Sequence, residues 1–129
     1  MDNIELRIRR QALGLTMAEA AAHVGVLRLS WSRWENDPSR VIPEGIEDEV
    51  TELEENVEDL ADRAARKCLD VAGHDDGSDL VVSLEDVTAQ EPEWGIPEAC
   101  CRVAAAWAAR QVHRKTGRPV RIVTSHSGL

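Results

Sequence analysis

The sequence predicts a mainly α-helical chain with a small α+β part toward its C-terminal end. Three observations carry this prediction. Thr16-Met17-Ala18-Glu19 has the spacing of a capping box, in which the Thr and Glu side chains each bond to the other residue's backbone N–H. From Ile46 to Val71, apolar residues recur in alternating steps of four and three, the signature of one long amphipathic helix. Two short β-prone runs, Leu80-Val81-Val82 and Arg118–Val123, then bracket further helical sequence.

The first helix should span Asn3 to Leu13, capped by Asp2 or Asn3, with Ile4, Leu6 and Leu13 on its buried side. Arg7, Arg9 and Arg10 add positive charge. A second helix opens at the capping box and must end by Gly25, the only residue nearby that takes φ > 0 without penalty. Its alanines, Ala18 and Ala20 to Ala22, permit close helix approach. A third helix should run from about Arg28 to Glu35, ending in the punctuated loop Asn36-Asp37-Pro38-Ser39-Arg40. Helices this short are not stable alone and must pack tightly. A helix-turn-helix arrangement supplies that packing.

Pro43 suits the first turn of a fourth helix, and Glu44, Glu47, Asp48 and Glu49 suit its positive end. Its apolar stripe is Ile46, Val50, Leu53, Val57, Leu60, Ala64 and Val71, with Cys68 interposed, and Gly73 can stop it. A helix of about 28 residues is about 42 Å long, so the stripe needs cover from the C-terminal segment, a second copy, or both. His74–Ser78 reads as a loop and Leu80–Val82 as a strand. Ser83 to about Ala89 reads as a short helix, broken by Glu91-Pro92. Pro97 opens a final long helix with Cys100, Val103, Ala104, Trp107 and Val112 on one face, stopped at Thr116-Gly117. Arg118–Val123 alternates as an exposed strand, and Thr124–Leu129 reads as a frayed tail. Two strands this short call for mutual pairing, which a dimer can complete.

The chain therefore divides into three expected parts. Residues 1–43 form a helix-turn-helix head, 44–73 a long acidic connecting helix, and 74–129 a small strand–helix–helix–strand region for dimerisation.

Residues Leu6, Arg10, Gly14-Leu15-Thr16, Ala18-Glu19, Ala22, Gly25-Val26 and Ser32-Arg33-Trp34-Glu35 resemble the helix-turn-helix family named after the xenobiotic-response-element repressor, which includes the lambdoid phage repressors. Met17 stands where that family often has Gln, and Leu27 where Ser or Thr often caps the recognition helix. A narrower resemblance follows from Ser30-Trp31-Ser32-Arg33-Trp34-Glu35-Asn36 and Val41-Ile42-Pro43. These look like the small Aca-type autorepressors that accompany anti-CRISPR genes. In those proteins a helix-turn-helix precedes a long helix and a small α/β dimerisation region. The run Val103–Trp107 also looks like their last helix.

The resemblance implies that Arg28, Leu29, Ser32 and Arg33 face the major groove of double-stranded DNA. Arg can donate two bonds to guanine, Leu29 can touch a thymine methyl, and Ser32 can bond to a base or a phosphate. Thr16 at a helix N-terminus, Ser39 and Arg40 in the following loop, and Arg7 are candidate phosphate contacts. Trp31 and Trp34 share a helix face and stand where the family places packing residues. The family pairs Glu35 with the residue at Arg10. Val103, Ala104, Trp107, Val120 and Ile122 are the expected dimerisation residues.

The net charge of −9 is unevenly spread. Residues 1–43 carry a net +1, 44–92 a net −14 and 93–129 a net +4. Affinity for nucleic acid depends on the local field, which salt screens beyond about 10 Å, so the acidic middle is compatible with a DNA-reading head. Phe and Tyr are absent, so the core must be aliphatic and Ala-rich. No apolar run approaches a membrane span, and the polar N-terminus does not resemble a secretory signal. Cys68, Cys100 and Cys101 form no CxxC pair and fit a reducing cytoplasm. No Gly-rich phosphate loop, HExxH or GxSxG is present. The expectation is a non-enzymatic protein without metal or cofactor, His74-Asp75-Asp76 reading as a turn.

Together these observations predict a cytoplasmic, homodimeric transcriptional repressor. It would bind a palindromic promoter operator and regulate its own phage or mobile-element operon, with any further protein partner unknown. Two rivals remain: an antitoxin-type DNA-binding regulator, and an interaction adaptor that uses its acidic helix without binding DNA.

Overall fold

The computed structural model describes residues 1–72, 79–88 and 95–125. They form α1 (Asn3–Ala12), α2 (Met17–Val24), α3 (Arg28–Asn36), α4 (Glu44–Ala72), β1 (Leu80–Ser83), α5 (Glu85–Thr88), α6 (Glu98–Thr116) and β2 (Val120–Val123). This is the mainly helical fold with a small α+β C-terminal part that the sequence predicts. The chain separates into two compact units, Met1–Glu55 and Asn56–Leu129, with the break inside α4.

In the first unit, α1 to α3 pack with the opening turns of α4. Asp2 caps α1 by accepting from the Glu5 N–H at 2.8 Å. Leu6 and Leu13 are buried, but Ile4 is 60% exposed, contrary to its expected place in the core. Ile4 lies two residues before Leu6, about 200° around the helix, and shares an outer face with the exposed Ile8. Arg9 ties α1 to α4: it pairs with Glu54, donates to Thr51 Oγ1 at 3.0 Å and lies 3.6 Å from Glu47. The acidic start of α4 is therefore partly neutralised by the head.

Ile46, Val50, Leu53, Val57, Leu60, Ala64 and Cys68 are all buried within the single chain, as the spacing predicts. The buried side also takes in Ala61 and Ala65. Val71, expected to continue the stripe, is 64% exposed. It lies on the same side of the helix but in its last turn, where the described residues place nothing over it.

The second unit is built on a parallel pairing of β1 with β2, in the register Leu80↔Val120, Val81↔Arg121, Val82↔Ile122 and Ser83↔Val123. Parallel strands need a long crossover, and α5 and α6 provide it. The Leu84 N–H extends the ladder to Val123 O at 2.8 Å. Ser83 Oγ accepts from the Glu85 N–H at 3.1 Å and starts α5, while Lys67 of α4 donates to Asp86 Oδ1 at 2.6 Å. The buried face of α6 is Cys100, Cys101, Ala104, Ala105, Ala108 and Val112. That face is centred on small residues, which allow close approach, and it leaves Val103 and Trp107 half-buried on its rim. Gly117, at φ 70°, ends α6. Gly73, the His74–Ser78 loop, the helix end at Ala89, the Glu91-Pro92 break and the tail beyond Ser125 lie outside the described residues.

Candidate nucleic-acid interface

The candidate site is assembled by α2, the turn Gly25–Leu27 and α3. Both halves of the capping box form: Thr16 Oγ1 accepts from the Glu19 N–H at 3.1 Å, and Glu19 Oε1 accepts from the Thr16 N–H at 2.9 Å. Gly25 closes α2 at φ 77°, a left-handed conformation that strains residues with a Cβ. The Val26 N–H then bonds to Ala21 O at 2.9 Å, turning the chain into α3. Leu27 precedes α3 with extended backbone and no side-chain cap.

One side of α3 is locked into the head. Trp31 is 1% exposed, and its indole N–H donates to Glu35, also 1% exposed. Arg10 grips the same carboxylate with two bonds, Nε to Oε2 at 2.7 Å and Nη2 to Oε1 at 3.0 Å. It also donates to Leu15 O at 2.8 Å, next to the capping box. Burial alone would raise the Glu35 pKa, but the bonds from Arg10 and Trp31 and the charges of Arg10 and Arg7 outweigh it and hold the carboxyl below its ordinary value. Trp34 is half-buried, its ring centroid 5.9 Å from that of Trp31.

The opposite side of α3 carries the residues expected to read bases. At 100° per residue, Arg28, Leu29, Ser32 and Arg33 fall within an arc of about 140°. Arg28, Leu29 and Arg33 are exposed and Ser32 is half-buried. The arginines of the head divide sharply. Arg9, Arg10, Arg7 and Arg40 each lie within ion-pair distance of a carboxylate, of Glu54, Glu35, Glu35 and Asp37 respectively. Among the described residues, Arg28 and Arg33 have no ion pair.

The expected phosphate contacts are placed less uniformly. Thr16 is exposed at the start of α2. Arg40 is exposed but lies 3.5 Å from Asp37. Ser39 gives both its hydroxyl, at 2.6 Å, and its N–H, at 3.0 Å, to Asp37, and these bonds hold the Asp37 carboxyl below its ordinary pKa. As placed, Ser39 offers a phosphate lone pairs and not a proton. Arg7, its side chain 44% exposed, is held along α3's end: Nη2 donates to Glu35 O at 3.2 Å and to Asn36 Oδ1 at 2.8 Å. Asn36 was not among the expected site residues, yet it lies near the middle of the exposed arc and donates to Ser32 Oγ at 3.1 Å. Its spacing of four from Ser32 was the readable signal.

Of the residues expected at a dimer interface, Ala104 is fully buried in its own chain and has no surface to offer a second copy in this conformation. Val103, Trp107 and Val120 keep part of their surface, and Ile122 is 48% exposed. Trp107 borders an open groove of about 510 Å³ with Glu58, Asp62, Arg110 and Arg114.

Among the described residues, no group of three or more His, Cys, Asp or Glu is arranged to hold a metal ion, and no helix is long and apolar enough to cross a membrane. No curated protein matches the chain. A family model described as Aca2/YdiL-like matches residues 1–83, the stretch that includes α1 to α4 and β1. With well over half of its length matched, the chain belongs to the Aca2/YdiL-like family of Aca-type regulators.

Proposed function

We propose that this chain is a sequence-specific double-stranded DNA-binding repressor that acts as a homodimer on an inverted repeat and regulates its own operon. One observation carries the DNA-reading part. Arg28 and Arg33 lack ion-pair partners among the described residues, while the head's other arginines face carboxylates. A helix clamped on one side by Arg10–Glu35–Trp31 and presenting two unpaired guanidinium groups on the other suits the major groove. Arg28 and Arg33 bond to bases, with Leu29 and Ser32 beside them. Thr16 and Arg40 hold phosphates and set the head's position. Thr16 accepts its capping bond through a lone pair, which leaves its hydroxyl hydrogen for a phosphate oxygen.

The dimer is supported by surfaces in the second unit. β2 has one edge unpaired among the described residues, with Ile122 exposed on it. The half-buried Trp107 lies in a groove with both acidic and basic walls. Residues 1–43 act as the reading head, 44–73 as the connecting helix and 74–129 as the dimerisation region. The mechanism is occlusion: a dimer covering promoter DNA blocks polymerase.

Footprinting on the protein's own upstream region, with sedimentation of the complex, tests this. A protected inverted repeat bound by two chains is expected, with half-sites about 34–36 Å apart. A strictly monomeric chain on one unrepeated site would exclude the dimer mechanism.

A further inference from the structure

We infer that the groove between α4 and α6 seats a second copy of this chain, so that Arg114 of each copy meets the partner's Glu58 and Arg110 meets the partner's Asp62. The inference rests on the dimer proposed above and gives it a register. The groove holds about 510 Å³. Its α4 wall carries Glu58 and Asp62, and its α6 wall carries Trp107, Arg110 and Arg114, with Gln111 between. The four charged side chains are exposed and Trp107 is half-buried. Opposite charges thus line facing walls without closing on each other. Among the described residues Glu58, Arg110 and Arg114 have no ion pair, and Asp62 accepts only from Gln111 Nε2, at 2.9 Å.

Unpaired charges in water are ordinary; what singles these out is their symmetry. In a twofold contact, if residue i of one copy meets j of the other, j also meets i. A groove of one sign would repel its copy, whereas a groove with one acidic and one basic wall can satisfy itself. The Gln111–Asp62 bond sets those two residues level. Farther along, a second hollow is lined by later residues of both helices, Arg66 and Leu69 of α4 and Lys115 of α6. The helices therefore run in the same direction, and Glu58, one turn before Asp62, lies level with Trp107.

Trp107, Arg110 and Arg114 fall within an arc of about 60° and span about 10 Å along α6. With a twofold axis at the midpoint of that stripe, the partner's α6 runs antiparallel. The partner's Arg114 comes level with Glu58 and Trp107, and the partner's Arg110 comes level with Asp62. One position of the axis thus matches every carboxylate of the two grooves with a guanidinium. It also brings each Arg114 to an indole, whose face attracts a cation.

The test is sedimentation equilibrium of the full-length chain, comparing the wild type with Arg114→Glu, Glu58→Arg, an equimolar mixture of the two, and the double variant. Both side chains are exposed and unbonded in the chain, and an unchanged melting temperature is the control. Each single variant sets like charges together at two symmetric places and should raise the dimer Kd by about tenfold or more. In the mixture the reversed charges face each other, so a heterodimer of near wild-type strength should form. The double variant should dimerise as the wild type does.

A dimer unweakened in either single variant overturns the inference and leaves the dimer itself standing. So does a mixture or a double variant as weak as the single variants, since the pairing is then absent. Single variants that stay dimeric but no longer bind a single-stranded oligonucleotide would give the groove to nucleic acid instead. A wild-type chain that is monomeric at every concentration overturns the dimer mechanism, and that result is distinct from the others.

Discussion

Arg10 and Glu35 form a two-bonded ion pair with the carboxylate 1% exposed and the guanidinium donating at 2.7 and 3.0 Å. The pair joins the last turn of α1 to the end of α3, and its third arm reaches Leu15 O beside α2. Three short helices are thus registered through one charged contact. Removing Arg10 leaves the buried carboxylate only Arg7, at 3.5 Å, to balance it, and removing Glu35 takes the carboxylate from both guanidinium groups. Arg10→Ala or Glu35→Ala should destabilise the head by about 3–5 kcal/mol, measured by urea unfolding.

The same pair makes stability depend on pH. The folded Glu35 carboxyl is held below its ordinary value, so its contribution is fully present above the unfolded carboxylate value of about 4.3. It is lost as pH falls through the lower folded value. Urea midpoints measured from pH 7 downward should fall below about pH 4.5. The part of that fall due to Glu35 should vanish in Glu35→Gln, which is less stable at pH 7 but flatter toward acid.

Arg33→Ala should reduce affinity for the cognate operator by about 1–3 kcal/mol, the worth of a bidentate guanine contact, and change binding to scrambled duplex much less. Arg40→Ala should weaken all sequences alike and lower the salt slope by about one unit. Titrations on cognate and scrambled duplex at two salt concentrations separate the two roles. An equal loss on both duplexes for Arg33→Ala would remove it from base reading.

Ile122→Lys should convert the proposed dimer to a monomer without unfolding the chain. Ile122 is 48% exposed on β2, so the substitution adds charge where a second copy is proposed to sit and disturbs little of the chain's own core. It is a cleaner probe than truncation after Ala72, which would strip cover from Val57, Leu60 and Ala64, all buried in the intact chain. Light scattering on the variant, with its melting temperature as a control, reads the outcome. A dimer that persists would move the interface away from β2.

Cys68 and Cys101 are buried, and burial pushes both thiols above their ordinary pKa. A protonated, inaccessible thiol is a poor nucleophile. Both should resist alkylation at pH 7.5 in the folded protein and react at once in urea. Mass spectrometry of each cysteine-containing peptide, before and after denaturation, would show this.

The sequence by itself determined the features that depend on local chemistry. The capping box at Thr16, the left-handed stop at Gly25, the bounds of α3 and the apolar stripe of α4 follow from hydrogen-bonding groups a few residues apart and from the helical repeat. The outward face of α3, with Arg28, Leu29 and Arg33 exposed and Ser32 half-buried, was legible through the family resemblance of the Ser32-Arg33-Trp34-Glu35 stretch. Tertiary structure alone decided which arginines are free. Arg7, Arg9, Arg28 and Arg33 look alike in the chain, but Arg7 meets Glu35, 28 residues on, and Arg9 meets Glu54, 45 residues on, in addition to its local partner Glu5. It also decided that Ala104 faces inward while Trp107 lies on the rim, because that turns on which arc of α6 meets the rest of its unit. The bond between Asn36 and Ser32 shows the division most clearly. The spacing of four to Asn36 is written in the sequence, but the direction of the hydrogen bond is set by Arg7, brought from another helix by the fold.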